Sequence, residues 1–93
     1  MWQNRPNPFA RATLIHYALP AAVDVSLEVF SLQGRRVARL ARGVQEAGVH
    51  SVAFGPGVAT ASGERVGTVP AGVYFYRFQA GTFSSTRKML LLR

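Results

Sequence analysis

The chain has 93 residues, 48% hydrophobic and 16% charged, which fits one small packed domain and excludes a disordered chain, because disordered chains lack the apolar content that offsets ordering entropy. It has no cysteine, so disulfide staples and thiolate metal sites are excluded and packing must hold it together. Eleven Lys and Arg stand against four Asp and Glu, a formal charge of +7; ten of the eleven are Arg, so a polyanion-binding surface and a merely arginine-rich solvated surface are both open readings.

The opening Asn4-Arg5-Pro6-Asn7-Pro8-Phe9 carries two prolines and two asparagines, so residues 1–10 are expected to be an extended lead-in with Phe9 anchored in the core. Thr13–Leu19 places Ile15, Tyr17 and Leu19 at period two and stops at Pro20, a first strand. Val23–Phe30 alternates most cleanly, with Val23, Val25, Leu27 and Val29 facing inward and Asp24, Ser26 and Glu28 facing water. Ser31-Leu32-Gln33-Gly34 turns this strand into Arg35–Leu40, so a hairpin is expected. Gln45–Gly48 is read as a further turn, followed by Val49–Phe54 with His50, Val52 and Phe54 on one face.

The stretch from Gly55 to Ala71 is rich in Gly, Pro and small residues and reads as a long loop with at most a short hairpin around Ser62-Gly63-Glu64-Arg65. Gly72–Ala80 is strongly β-prone, with Tyr74, Tyr76 and Phe78 on one face and Val73 and Phe75 on the other. Apolar residues on both faces predict a central strand covered on both sides. Gly81-Thr82 turns it into Phe83–Leu92, whose Met89–Leu92 ending is expected to be a terminal strand also covered on both sides. No helical period persists, and short strands recur between turn residues. The fold expected is therefore an all-β antiparallel β-sandwich of about seven strands, with a small closed barrel as the alternative.

Catalytic constellations do not assemble. His16 and His50 would need scattered carboxylates to bind zinc, and Asp24, Glu28, Glu46 and Glu64 form no acid–base pair. No glycine-rich turn precedes a helix, so no phosphate cradle is expected. The protein reads as a non-enzyme without a cofactor. Tyr74, Phe75, Tyr76 and Phe78 around Arg77 suggest a stacking platform, but period-two aromatics in so small a domain are expected in its core, so nucleic acid is not expected as a partner. The longest apolar run, Met89–Leu92, falls far below the ~20 residues of a bilayer-spanning helix, so membrane insertion is not expected. Met1-Trp2-Gln3-Asn4-Arg5 does not read as a secretory signal peptide.

Six segments then occur in order: Asn7-Pro8-Phe9, the Ile15-x-Tyr17-x-Leu19-Pro20 strand, Val29–Val37, Ala47–His50, Ser62-Gly63 leading to Ala71–Arg77, and Thr86–Leu91. With them the chain resembles the C-terminal sorting domain of type IX secretion cargo proteins of the Bacteroidetes, and it is also similar to the immunoglobulin-like domain of the flagellar hook-capping protein. Two departures from the sorting-domain pattern are a longer Gly55–Ala71 loop and Phe54-Gly55 where a Trp-Asp pair is common.

The resemblance implies a seven-stranded immunoglobulin-like sandwich, residues 11–93, behind a lead-in of residues 1–10 and an upstream cargo domain. The outer-membrane translocon would read it, and a surface peptidase would remove it as the cargo is joined to an anionic lipopolysaccharide. The protein would thus be exported, periplasmic in transit and then at the cell surface. The residues implied in recognition are Gly72 and Tyr74 with Lys88, Met89, Leu90, Leu91 and Arg93. Backbone groups of an accessible terminal strand are expected to accept strand addition, with Lys88 and Arg93 setting electrostatic register. A chain ending at Arg93 fits a sorting domain better than a hook-capping or filament-associated one. A carbohydrate-binding sandwich is the third reading.

Overall fold

A computed structural model describes residues 1–56 and 69–92. Six strands follow in chain order: β1 (Thr13–Leu19), β2 (Val23–Ser31), β3 (Arg36–Gln45), β4 (Gly48–Phe54), β5 (Gly72–Ala80) and β6 (Phe83–Leu91). They form two antiparallel sheets, one of order β1-β4 and one of order β3-β2-β5-β6, stacked as a two-layer sandwich. The described residues thus hold six strands rather than the expected seven. The short hairpin expected around Ser62–Arg65 lies outside them.

Period two explains the inner faces. Ile15, Tyr17 and Leu19 of β1 meet Val25, Leu27 and Val29 of β2 and Tyr74, Tyr76 and Phe78 of β5, all essentially inaccessible to solvent. Burying each such side chain stabilises the domain by about 1.5–3 kcal/mol. Tyr17 and Phe78 bring their ring centroids to 4.8 Å across the two layers, and the Tyr17 hydroxyl donates to Gln45 Oε1, joining β1 to β3. Phe9 is buried against Phe54, with centroids 6.1 Å apart, as its place in the lead-in predicts.

Both predicted hairpins form. The β2–β3 connection is closed by Gly34 N–H donating to the Ser31 carbonyl at 2.9 Å, with Gly34 at φ 87°, a conformation that disfavours a side chain. Gly81-Thr82 joins Ala80 to its partner Phe83. Gly81 has φ 60° and Thr82 is not left-handed, the glycine-first pattern of a tight hairpin turn that matches strand twist.

Three expectations need correction. β3 runs five residues past Leu40, pairing Ala41–Gln45 with Val23–Leu27. The turn before β4 shrinks to Glu46-Ala47, which carries the chain from one sheet to the other. Neither β5 nor β6 is covered on both sides. β5 is central, between β2 and β6, but its outer residues Val73 and Phe75 are only half-buried and Arg77 is exposed. On β6, Met89 and Leu91 are buried, Leu90 is half-buried and Phe83 is 57% exposed, and Leu92 just beyond it is 47% exposed. A two-layer sandwich gives each strand one inner face, and outer side chains find cover only from neighbours within their own sheet.

The lead-in is bonded to both sheets. Trp2 N–H donates to His16 O, and Arg5 and Leu14 exchange backbone bonds on the β1 edge. Phe9 then pairs in parallel with Leu91 on the β6 edge. Between them Asn4 is fully buried: its amide donates to Thr13 Oγ1 at 3.0 Å and to the Pro6 carbonyl, and its backbone N–H donates to the Tyr76 hydroxyl at 2.9 Å. Such a polar group is tolerable inside only because these partners replace its water.

Candidate functional site

Six of the seven residues implied in recognition, Gly72, Tyr74 and Lys88 to Leu91, converge on one end of the β5–β6 hairpin. Cross-strand register sets Gly72 opposite Leu91, Tyr74 opposite Met89, and Val73 and Phe75 opposite Leu90 and Lys88. Two segments well separated in sequence therefore form one patch. Its faces differ, because alternation sends Tyr74, Met89 and Leu91 into the core and leaves Lys88 and Leu90 on the outer surface. Arg93 lies outside the described residues. A folded domain can thus offer the Lys88 and Leu90 side chains to a partner, while Tyr74, Met89 and Leu91 hold that surface in place.

Gly72 sits at φ 149°, and nothing lies within 4 Å of where its Cβ would be; backbone conformation, rather than space, favours glycine here. The Tyr74 hydroxyl donates to the carbonyl of Pro70, fixing the approach to β5. Burial pushes its phenol above the ordinary tyrosine value, because the ionised form is the one that loses hydration.

The outer edge of β6 is partly occupied. The Lys88 carbonyl accepts from Gln3 Nε2 at 2.8 Å, and Leu90 N–H donates to Asn7 Oδ1 at 3.0 Å. The Leu90 carbonyl accepts from Phe9 N–H at 3.0 Å, and Leu92 N–H donates to Phe9 O at 2.7 Å. An edge strand turns alternate backbone groups outward, so the stretch still open beside the described residues is that of Ser84 and Thr86. The expectation of an accessible terminal strand is narrowed accordingly: Gln3, Asn7 and Phe9 already bond the backbone of Lys88, Leu90 and Leu92.

The histidines separate. His50 lies on the inner side, stacked on Tyr17 with centroids 5.3 Å apart, and its Nε2 meets the Glu46 carbonyl at 2.7 Å. His16 is one residue out of phase with Tyr17, the cross-strand partner of His50, and so points away from it. Among the described residues no cluster of His, Asp and Glu could hold a metal ion, and no helix is long and apolar enough to cross a membrane. Of the suggested stacking residues, Tyr74, Tyr76 and Phe78 are core.

Sequence reasoning missed the centre of the outer face. Glu28, its side chain only 14% exposed, takes Arg36 at 3.2 Å, Arg39 at 3.7 Å and Arg77 at 3.5 Å, and the Arg77 guanidinium lies 4.9 Å from the Phe30 ring centroid. Read as a linear pattern, Glu28 is an ordinary solvated strand carboxylate. The signal lay in arginines at positions 36, 39 and 42, whose three-residue spacing looks incompatible with one strand face. No family model and no curated protein matches the chain.

Proposed function

We propose that this chain is a non-catalytic sorting domain of the type IX kind, with an immunoglobulin-like strand arrangement, which directs an upstream cargo through an outer-membrane translocon to the cell surface. The observation that carries the reading is the register of β5 on β6: Gly72 and Tyr74 stand directly across from Leu91 and Met89, so the two motifs that the resemblance implies in recognition form one contiguous patch. The same patch divides into a buried supporting half and an outer half that presents the exposed Lys88 and the half-buried Leu90. A label that serves many cargoes needs such a surface, independent of the passenger and held rigid by the core.

In this reading the translocon contacts the side chains of Lys88 and Leu90, a surface peptidase acts on the emerged domain, and anionic lipopolysaccharide receives the cargo. Removing Met89–Arg93 would be a poor test, because Met89 and Leu91 are core and their loss would unfold the domain. The double variant Lys88→Glu with Leu90→Asp changes only the outer half and leaves the core residues in place. Fused to a reporter in a bacterium that has the type IX machinery, it is expected to stay folded, by circular dichroism of the purified domain, yet to leave the reporter in the periplasm. Surface display equal to that of the unaltered domain would rule the patch out.

A further inference from the structure

Arginines three residues apart alternate faces on a regular strand. Arg36, Arg39 and Arg42 do not, because register shifts between Leu27 and Glu28 and between Val29 and Phe30 pair them with Phe30, Glu28 and Ser26. Those three partners lie on the outward phase of β2, between the buried Val25, Leu27 and Val29. The bulges thus convert a three-residue spacing in sequence into a single row on one face, which is how bulges re-aim side chains. The partners are two residues apart, so the row has a pitch of about 6.8 Å and a span of about 14 Å.

That pitch equals the distance between alternate side chains of an extended peptide, which also advances about 6.8 Å per two residues. β3 is an edge of the four-stranded sheet, and among the described residues no strand lies beyond it. The sheet itself shows how a strand carboxylate is taken: Glu28, on the β2 side, sits 3.2 Å from Arg36 and 3.7 Å from Arg39. Arg42 is exposed and has no carboxylate of a described residue within 4.0 Å. Stacked nucleic-acid bases would need open rings here, but Phe30 is covered by the Arg77 guanidinium.

We propose that the β3 edge is a docking surface for an extended acidic segment of another protein, in which carboxylates at alternate positions face Arg36, Arg39 and Arg42. The inference goes beyond the sorting reading and stands without it. Bulges interrupt the backbone ladder, so side-chain charge carries recognition, and binding weakens as salt rises.

The test is fluorescence anisotropy with residues 1–93 at low ionic strength, using two labelled seven-residue peptides of equal charge. One alternates Glu with Thr and the other places its three Glu together. The alternating peptide is expected to bind about tenfold tighter, since misplacing two opposite-charge pairs costs about that factor. Arg42→Glu, and the milder Arg42→Gln, are expected to weaken it, while Arg11→Glu, of the same charge change off this row, leaves it less affected. The proposal is overturned by equal binding of the two peptides, by equal effects of the substitutions at positions 42 and 11, by tighter binding of polyphosphate than of the alternating peptide, or by no binding of either peptide.

Discussion

At the residue scale, positions that look interchangeable in sequence turn out to be fixed by close approach or by burial. Gly55 is buried, and a Cβ there would lie 2.0 Å from the backbone oxygen of Arg11, so the chain excludes any side chain where the resembling pattern commonly has Asp. Gly55→Ala is expected to destabilise the domain by about 1–3 kcal/mol through the backbone shift it forces, read as a lower urea midpoint. An unchanged midpoint would mean that the approach relaxes freely.

The three tyrosines make a second prediction at this scale. Burial raises the phenols of Tyr17, Tyr74 and Tyr76, while the bond from the Asn4 N–H and the charge of Arg87 pull Tyr76 back in part. Folded tyrosines hold their protons more tightly than unfolded ones, so this contribution is complete below the ordinary value near 10 and is lost as pH rises through the folded values. Phenolate absorbance is therefore expected to appear together with loss of the β-sheet dichroism, above the ordinary tyrosine range. Normal titration of all three in a domain that stays folded would contradict their burial. The anchor Phe9 was legible in sequence as an aromatic beside prolines. Asn4 was not, because nothing local shows that a polar side chain in a Pro-rich segment will find Thr13, Pro6 and Tyr76 as partners.

At the element scale, alternation reveals a strand where the ladder is regular and misleads where it is not. β1, β2 and β5 were legible to within a residue of their ends because period two runs through them without interruption. β3 was truncated at Leu40 because its bulges shift the phase, leaving Leu40 and Ala41 both buried, an arrangement that simple alternation forbids. β6 was legible as a strand but not in its coverage: four consecutive apolar residues at its end suggested two buried faces, and the sandwich supplies one. Substituting the two faces separates these readings. Met89→Ala is expected to cost about 2–5 kcal/mol, as a buried truncation does, while Leu92→Ala is expected to stay within about 0.5 kcal/mol, as an exposed one does. Comparable losses measured in urea unfolding would mean that the outer face is covered after all.

At the scale of the whole molecule, the all-β antiparallel class was legible because turn residues punctuate short strands, but the division into sheets of two and four was not. Gln45–Gly48 reads in sequence only as a turn, and Glu46-Ala47 in fact moves the chain between layers, a choice set by which inner faces pack together. The joining of both sheets by residues 2–9 was likewise hidden, since its bonds run to His16, Leu14, Leu90 and Leu92. That strap places the lead-in beside the Lys88–Leu92 end of β6. Among the candidate residues, their convergence on the β5–β6 hairpin was foreseeable from the Gly81-Thr82 turn, whereas their division into core and surface required the partner sheet.

The measurement that bears most directly on the sorting role is transfer of the domain to a new passenger. Residues 1–93 would be fused behind a periplasmic reporter in a bacterium with the type IX machinery, and reporter cleavage by protease would be scored on intact cells. The expected result is surface exposure of the reporter that disappears in a strain lacking the translocon. A folded fusion that stays in the periplasm, or one that reaches the surface without the translocon, would contradict it.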